Sequence, residues 1–182
     1  MRISRGAGIS LTRKKSNVTI IGMPGSGKST TGIILAKYLS CGFLDTDVLI
    51  QIHQKKSLQE IIDESGYLTL RKFEEEEILR INVENHVIAT GGSAVYSSEA
   101  MAHLRDISTI VFLVVDFETL LHRIHNFNTR GIAKAENQTF RDLFDERQAL
   151  YGKYAEWTID SSNMTQEETA EIISKKMAAN RS

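Results

Sequence analysis

The sequence predicts a three-layer α/β/α sandwich built on a parallel sheet. Three observations predict it. Short apolar runs alternate with longer helical patterns along the chain, the mark of parallel strands joined by helical crossovers. One run, STIVFLVV at residues 108–115, is apolar on both faces, as a strand covered on both sides must be. A glycine-rich turn joins the first run to the first helical stretch.

The elements follow in order. NVTIIG at residues 17–22 reads as the first strand and Lys28–Leu39 as the first helix. GFLDTD at 42–47 is a second strand ending in carboxylates, followed by helical sequence to about Asn85. HVIAT at 86–90 is the third strand and 108–115 the fourth, with a helix from Phe117 to about His125 after it. Residues 125–138 break periodicity with asparagines, a glycine and an arginine, and read as a mobile loop long enough to close over a site. A helix at 138–154, a short strand in EWTIDSS and a closing helix at 165–179 complete the pattern. Ligands are expected at the carboxyl ends of the strands.

At 182 residues the chain suits one buried core and a single domain, residues 17–182. Residues 1–16 carry five basic side chains and no acid, and read as a flexible basic tail. Apolar residues at 41% and charged residues at 25% are ordinary for a globular protein, and a net charge of -1 gives no long-range pull on polyanions, so nucleic acid is not an expected partner. No apolar run approaches a membrane span, so no membrane partner is expected either. The single cysteine, Cys41, cannot close an internal disulfide, which suits the cytoplasm. A monomer is expected.

GMPGSGKS at residues 22–29 matches G-x-x-x-x-G-K-[ST] between a strand and a helix. Glycines let the backbone curl its N–H groups inward, and the helix adds the positive end of its dipole to the same anion site. Lys28 then reaches the β- and γ-phosphates of a nucleoside triphosphate, and the Ser29 hydroxyl ligates Mg²⁺. The loop does not say what accepts the phosphoryl group. Alternation along DTD sends Asp45 and Asp47 the same way, one toward the metal's water shell and the other toward a substrate hydroxyl; a helix cap is the other reading of Asp47. Arg71 lies in the charged run of residues 66–80, where a solvated face is the ordinary role. Gly91-Gly92 ends a strand, either as close approach to a ligand or as a plain turn. Arg147 sits beside Leu143, Phe144 and Leu150, in a binding role or snorkelling from a buried stripe.

In order, GMPGSGKST, LDTD, the G-x-x-x-x-R-x-x-E of residues 66–74, ATGG, a late-loop arginine and ERQALY resemble the shikimate kinase family, over nearly the whole chain. The resemblance implies a nucleoside monophosphate kinase-like fold with a five-stranded parallel sheet, a lid at about 125–138 and a separate substrate-binding helical region. It implies an ATP-dependent enzyme that phosphorylates the 3-hydroxyl of shikimate in aromatic amino-acid synthesis. By the same similarity Gly25, Ser26, Gly27, Lys28, Ser29 and Thr30 bind ATP, with Arg123 beside the nucleotide and the lid's Arg130 contacting it. Lys28, Asp47 and Arg130 are the catalytic set; Ser29 and Asp45 serve Mg²⁺. Asp47, Arg71, Gly92 and Arg147 bind shikimate, and Glu74 orients Arg71. Two departures stand out: Ser93 replaces the family's third glycine, and Arg130-Gly131-Ile132-Ala133 replaces Arg-Pro-Leu-Leu. Glycine for proline is expected to loosen the lid, and alanine for leucine to shrink the apolar surface it buries.

Overall fold

The computed structural model describes residues 15–124, 131–135 and 137–181. Strands β1 (Asn17–Ile21), β2 (Gly42–Asp45), β3 (His86–Ala89), β4 (Ser108–Val114) and β5 (Trp157–Asp160) form one sheet in the order β2-β3-β1-β4-β5. Every pairing is parallel, with Ile20 opposite Ala89 on one side and Val111 on the other. Helices α1 (Lys28–Leu39), α2 (Thr46–Gln54), α3 (Leu58–Ser65), α4 (Tyr67–Arg80), α5 (Ser98–Ile107), α6 (Phe117–Arg123), α7 (Phe140–Tyr154) and α8 (Gln166–Arg181) surround it.

The alternation of β1 divides the core. Val18 and Ile20 pack with Leu35 and Ala36 of α1 and Ala170 and Ile173 of α8. Ile21 belongs to the opposite layer, with Ile78 of α4, Met101 and Leu104 of α5, and Leu143 and Tyr151 of α7. The polar side chains inside these strands are matched. Ser108 donates to the Leu104 carbonyl at 2.6 Å, so Thr19 donates to the Ser108 hydroxyl, also at 2.6 Å. A third, smaller cluster of Ile50, Ile61, Leu70 and Ala133 binds α2, α3 and α4 into a unit beside the sheet.

Local chemistry sets the boundaries, and several differ from the sequence reading. The stretch read as helical to Asn85 is three helices and ends at Arg80. Ser57 and Glu60 start α3 with a reciprocal capping box, and Gly66, at φ 81°, separates α3 from α4. Helix α7 starts at Phe140 rather than 138, where Thr139 and Asp142 cap each other. Helix α5, capped by Ser97, was not assigned from the sequence. The expected tail is held from Lys15 onward: Lys15 pairs with Glu156 at 2.7 Å, and the Ser16 hydroxyl accepts from the Asn85 N–H. Residues 1–14 of that tail lie outside the described residues, as do residues 125–130 of the expected lid.

Candidate active site

Three loops at the carboxyl ends of β1, β2 and β3 meet in one cleft. The first is the glycine-rich turn. Gly27 enters α1 at φ 90°, a left-handed conformation natural to glycine, and the next residue, Lys28, is buried. Its ammonium donates to the carbonyls of Gly22 and Met23 at 2.8 and 2.9 Å, inside the curl of the loop. Gly25, Gly27, Lys28, Ser29 and Thr30 line the cleft, while Ser26 is turned inward at 2% exposure. Helix α6 backs the loop: a Cβ on Gly25 would strike Ile124 at 2.7 Å. Arg123 therefore stands one residue from the cradle wall. Arg130 lies outside the described residues.

The second loop is DTD. Here strand alternation fails, because β2 stops at Asp45 and α2 begins at Thr46. Asp45 is the cap, accepting from the N–H groups of Asp47 and Val48, so the capping role considered for Asp47 belongs to its neighbour. The other oxygen of Asp45 accepts from the Ser29 hydroxyl at 2.6 Å. Two hard oxygen donors thus sit at the mouth of the cradle. That set fits Mg²⁺, which takes few protein ligands and keeps several waters. Among the described residues no three His, Cys, Asp or Glu side chains gather as a denser metal site. Asp47 points elsewhere, into the cleft.

The third loop is TGGS, and the far side of the cleft forms around it. The Gly91 N–H donates to the Thr46 hydroxyl, tying the loop to α2. A Cβ on Gly91 would collide with Asp47 Oδ1 at 2.5 Å and with Glu74 Oε1, so the two carboxylates share the space above this glycine. A Cβ on Gly92 would meet Arg147 Nη1 at 2.7 Å. Arg147 is 1% exposed, donates to the Ala133 carbonyl at 2.6 Å, and pairs with no carboxylate among the described residues. Burial works against its charge, yet Tyr151, Tyr96 and Glu74 outweigh it and hold the guanidinium pKa above its ordinary value. Tyr151, one turn along α7, donates to the Gly92 carbonyl at 2.7 Å. An aspartate, a buried arginine and a close-packed glycine therefore converge beside the glycine-rich turn.

Two expectations need correction. Glu74 does not orient Arg71. Its Oε2 accepts from the Ser93 hydroxyl, across 19 residues of sequence, and Oε1 has no hydrogen-bond partner. Burial, and next the charge of Asp47, push the Glu74 carboxyl up to about 7, against the pull of Ser93, Arg147 and Lys28. Arg71 lies instead on the ring of Tyr96, 3.6 Å from its centroid, with Tyr67 on a second side at 5.0 Å. It borders a recess next to the cleft that shares Ser93 with it. The sequence reading gave no role to Tyr96 or to the Ser93 hydroxyl; the only signals were an aromatic just after the glycine pair and the replacement of a glycine.

The lid's return is also unlike its expectation. Gly131 is not loose. It sits at φ 67°, donates its N–H to Gln59 Oε1 at 3.1 Å, and packs so closely that a Cβ would lie 2.9 Å from the Leu58 carbonyl carbon. Ile132 and Ala133 follow it into the core.

The shikimate kinase family model matches residues 24–178. A curated shikimate kinase from Caldanaerobacter subterraneus subsp. tengcongensis is 34% identical over 160 residues, covering 86% of this chain and 93% of that protein. Among solved structures, the shikimate kinase of Acinetobacter baumannii in complex with shikimate superposes with a TM-score of 0.84 at 28% identity, over 92% of this chain and 95% of its own. The shikimate kinase of Aquifex aeolicus gives 0.78 at 30% identity, over 91% and 98%.

Proposed function

Since the chain belongs to the shikimate kinase family, we propose that its three-loop cleft is where the γ-phosphoryl group of ATP passes to the 3-hydroxyl of shikimate. The observation that carries this is the shared cleft itself: Lys28 and Ser29 of the cradle line the same space as Asp47, Gly92 and Arg147. Shikimate has one carboxylate and three hydroxyls. The forked donors of Arg147, with Arg71 nearby, suit the first, and the acceptor-only Asp47 suits the others.

Phosphoryl transfer needs alignment of the two oxygens and cations for the charge that spreads over the moving group, with little covalent help. Lys28 supplies one cation at the phosphates. Ser29 and Asp45 would hold Mg²⁺, and the chemistry it would supply there is neutralisation of phosphate charge. Asp47 accepts a hydrogen bond from the attacking hydroxyl, fixing its lone pair toward phosphorus, and takes its proton as the new oxygen–phosphorus bond forms and the bond from the γ-phosphorus to ADP breaks, releasing ADP. Arg147 holds the carboxylate at the far end and so sets the approach of the ring. Arg123 and Arg130 are proposed on the nucleotide side, the first supported by its place next to the cradle wall.

The same reading makes the protein a monomeric cytoplasmic enzyme whose partners are small molecules, in keeping with its net charge of -1 and single cysteine. None of its described helices is long and apolar enough to cross a membrane. The deciding assay is ADP release with Mg²⁺ and ATP across a panel of small hydroxylated acids. Shikimate should give saturable turnover well above every other acid. Brisk turnover of another acid without response to shikimate would reassign the acceptor.

A further inference from the structure

Gln59, at the start of α3, stands outside the residues that line the main cleft, yet a short path of hydrogen bonds joins it to them. Its amide lies between two partners of opposite demand. Asp63, one turn on, accepts from Gln59 Nε2 at 2.7 Å, and the Gly131 N–H donates to Gln59 Oε1 at 3.1 Å. A carboxylate only accepts and a backbone N–H only donates, so one orientation of the amide serves both partners and the flipped one serves neither. Asp63 thus fixes the amide, and the amide fixes Gly131. Packing leaves that glycine little slack, since a Cβ on it would lie 3.0 Å from the Gln59 backbone nitrogen.

Two residues further along, the Ala133 carbonyl accepts from Arg147 Nη2 at 2.6 Å. By comparison, Arg147 Nε reaches the Tyr96 hydroxyl only at 3.5 Å. The carbonyl is therefore the firmer hold on the plane of the guanidinium, whose Nη1 faces Gly92. A shift of about 1 Å in the 131–133 return would carry that bond out of hydrogen-bonding range. Helix α3 grips one end of the return and α7 the other, with Ala133 packed among Ile50, Ile61 and Leu70 between them. We propose that Gln59, steered by Asp63, is a positioning residue for the acceptor: through Gly131 and Ala133 it sets the plane of the Arg147 guanidinium, and with it the seat of the acceptor's carboxylate. The inference rests on the functional reading above and adds to it a support that touches neither substrate.

The test measures KM for shikimate and for ATP, and hydrogen exchange at residues 131–135, in the wild type and in variants of this path. Gln59→Ala should raise the KM for shikimate by about threefold to tenfold, the range of one neutral hydrogen bond, with the KM for ATP within about twofold of wild type and protection of the Gly131 amide reduced. Gln59→Glu alone sets a carboxylate against Asp63 and should do similar harm. Combined with Asp63→Asn it regains a donor at that partner while still accepting from Gly131, so the KM for shikimate should return to within about twofold of wild type. In an Arg147→Ala background, Gln59→Ala should add less than about twofold, because the group it positions is gone. If Arg147→Ala does not fold, the rescue by Asp63→Asn decides. An undiminished loss in that background, or no rescue, would show a merely structural role and overturn the inference. An equal rise in both KM values would also overturn it, and would point to the groove that Gln59 borders with Ser29 and Asp47. So would an unchanged KM for shikimate once Gly131 protection is lost. Absence of shikimate turnover in the wild type is a different result, and would remove the functional reading and this inference with it.

Discussion

The guanidinium of Arg71 lies 3.6 Å from the ring centroid of Tyr96, and the hydroxyl of the same ring accepts from Arg147 Nε at 3.5 Å. One aromatic side chain thus steadies two like charges that would otherwise repel. Tyr96→Ala should raise the KM for shikimate roughly tenfold through loss of a contact worth about 0.5–2 kcal/mol. Tyr96→Phe keeps the ring and should recover most of that loss. A full matrix of shikimate and ATP concentrations gives the answer, and equal effects on both substrates would count against the platform role.

Lys28→Ala should abolish turnover with the fold intact. The ammonium is held among loop carbonyls within the curl, so its loss removes a cation from the phosphate site and leaves the apolar layers untouched. Circular dichroism and thermal melting, run beside the ADP assay, would separate a dead enzyme from an unfolded one. Retained activity would refute the assignment of the cradle.

Arg147→Ala should chiefly raise the KM for shikimate, by tenfold to a hundredfold, since a carboxylate is bound in ground and transition states alike. A smaller fall in kcat would report misplacement of the hydroxyl. The residue is 1% exposed, so melting temperature should be measured on the same samples. A change confined to the KM for ATP would place Arg147 on the wrong side of the cleft.

Glu74 should make the unliganded protein lose stability as pH rises. Its folded pKa is raised to about 7 from an ordinary 4.5, by burial first and then by Asp47. Between those values the native state holds a proton that the unfolded chain releases, so the slope is negative and approaches about 1.4 kcal/mol per pH unit. The exposed acids with lowered values, among them Asp116 and Asp142, act in the opposite sense and at pH below about 4, outside this window. Urea melts of wild type and Glu74→Gln from pH 4.5 to 8 provide the comparison, and the variant should lack the slope.

Gly131→Pro, which installs the proline that the family resemblance leads one to expect here, should be harmful in this chain. Proline cannot adopt φ 67° and has no N–H for Gln59. A destabilisation of about 1–3 kcal/mol at this segment is expected. Hydrogen exchange at residues 131–135 should rise and kcat should drop. Protection equal to wild type would show that another arrangement serves as well.

The cradle was legible because its determinants sit in eight consecutive residues whose geometry is local. The strand pattern was legible because two buried faces demand unbroken apolar runs. What misled was contact between distant segments. The run at 66–80 looked like a solvated face, yet Glu74 and Glu77 are each 2% exposed. Glu77 is met by His53 from α2 and Arg80 from its own helix, and Glu74 by Ser93 from another loop. No spacing within α4 announces those partners. Asp47 lines the cleft, but strand alternation does not take it there, since a helix begins at Thr46 where alternation would have to continue.

In the proposed division of the cleft, the donor half comes mainly from residues 22–30, with Asp45 as its farthest support, whereas the acceptor half draws on α2, α4, the loop after β3, the return at 131–133 and α7. A heritable change in one acceptor residue therefore leaves the phosphate machinery whole. Ser93 and Gly131 both lie in these acceptor segments. A chain built this way can explore new alcohols one segment at a time while remaining able to spend ATP, and its ancestry should be written in the acceptor loops long before it shows in the cradle.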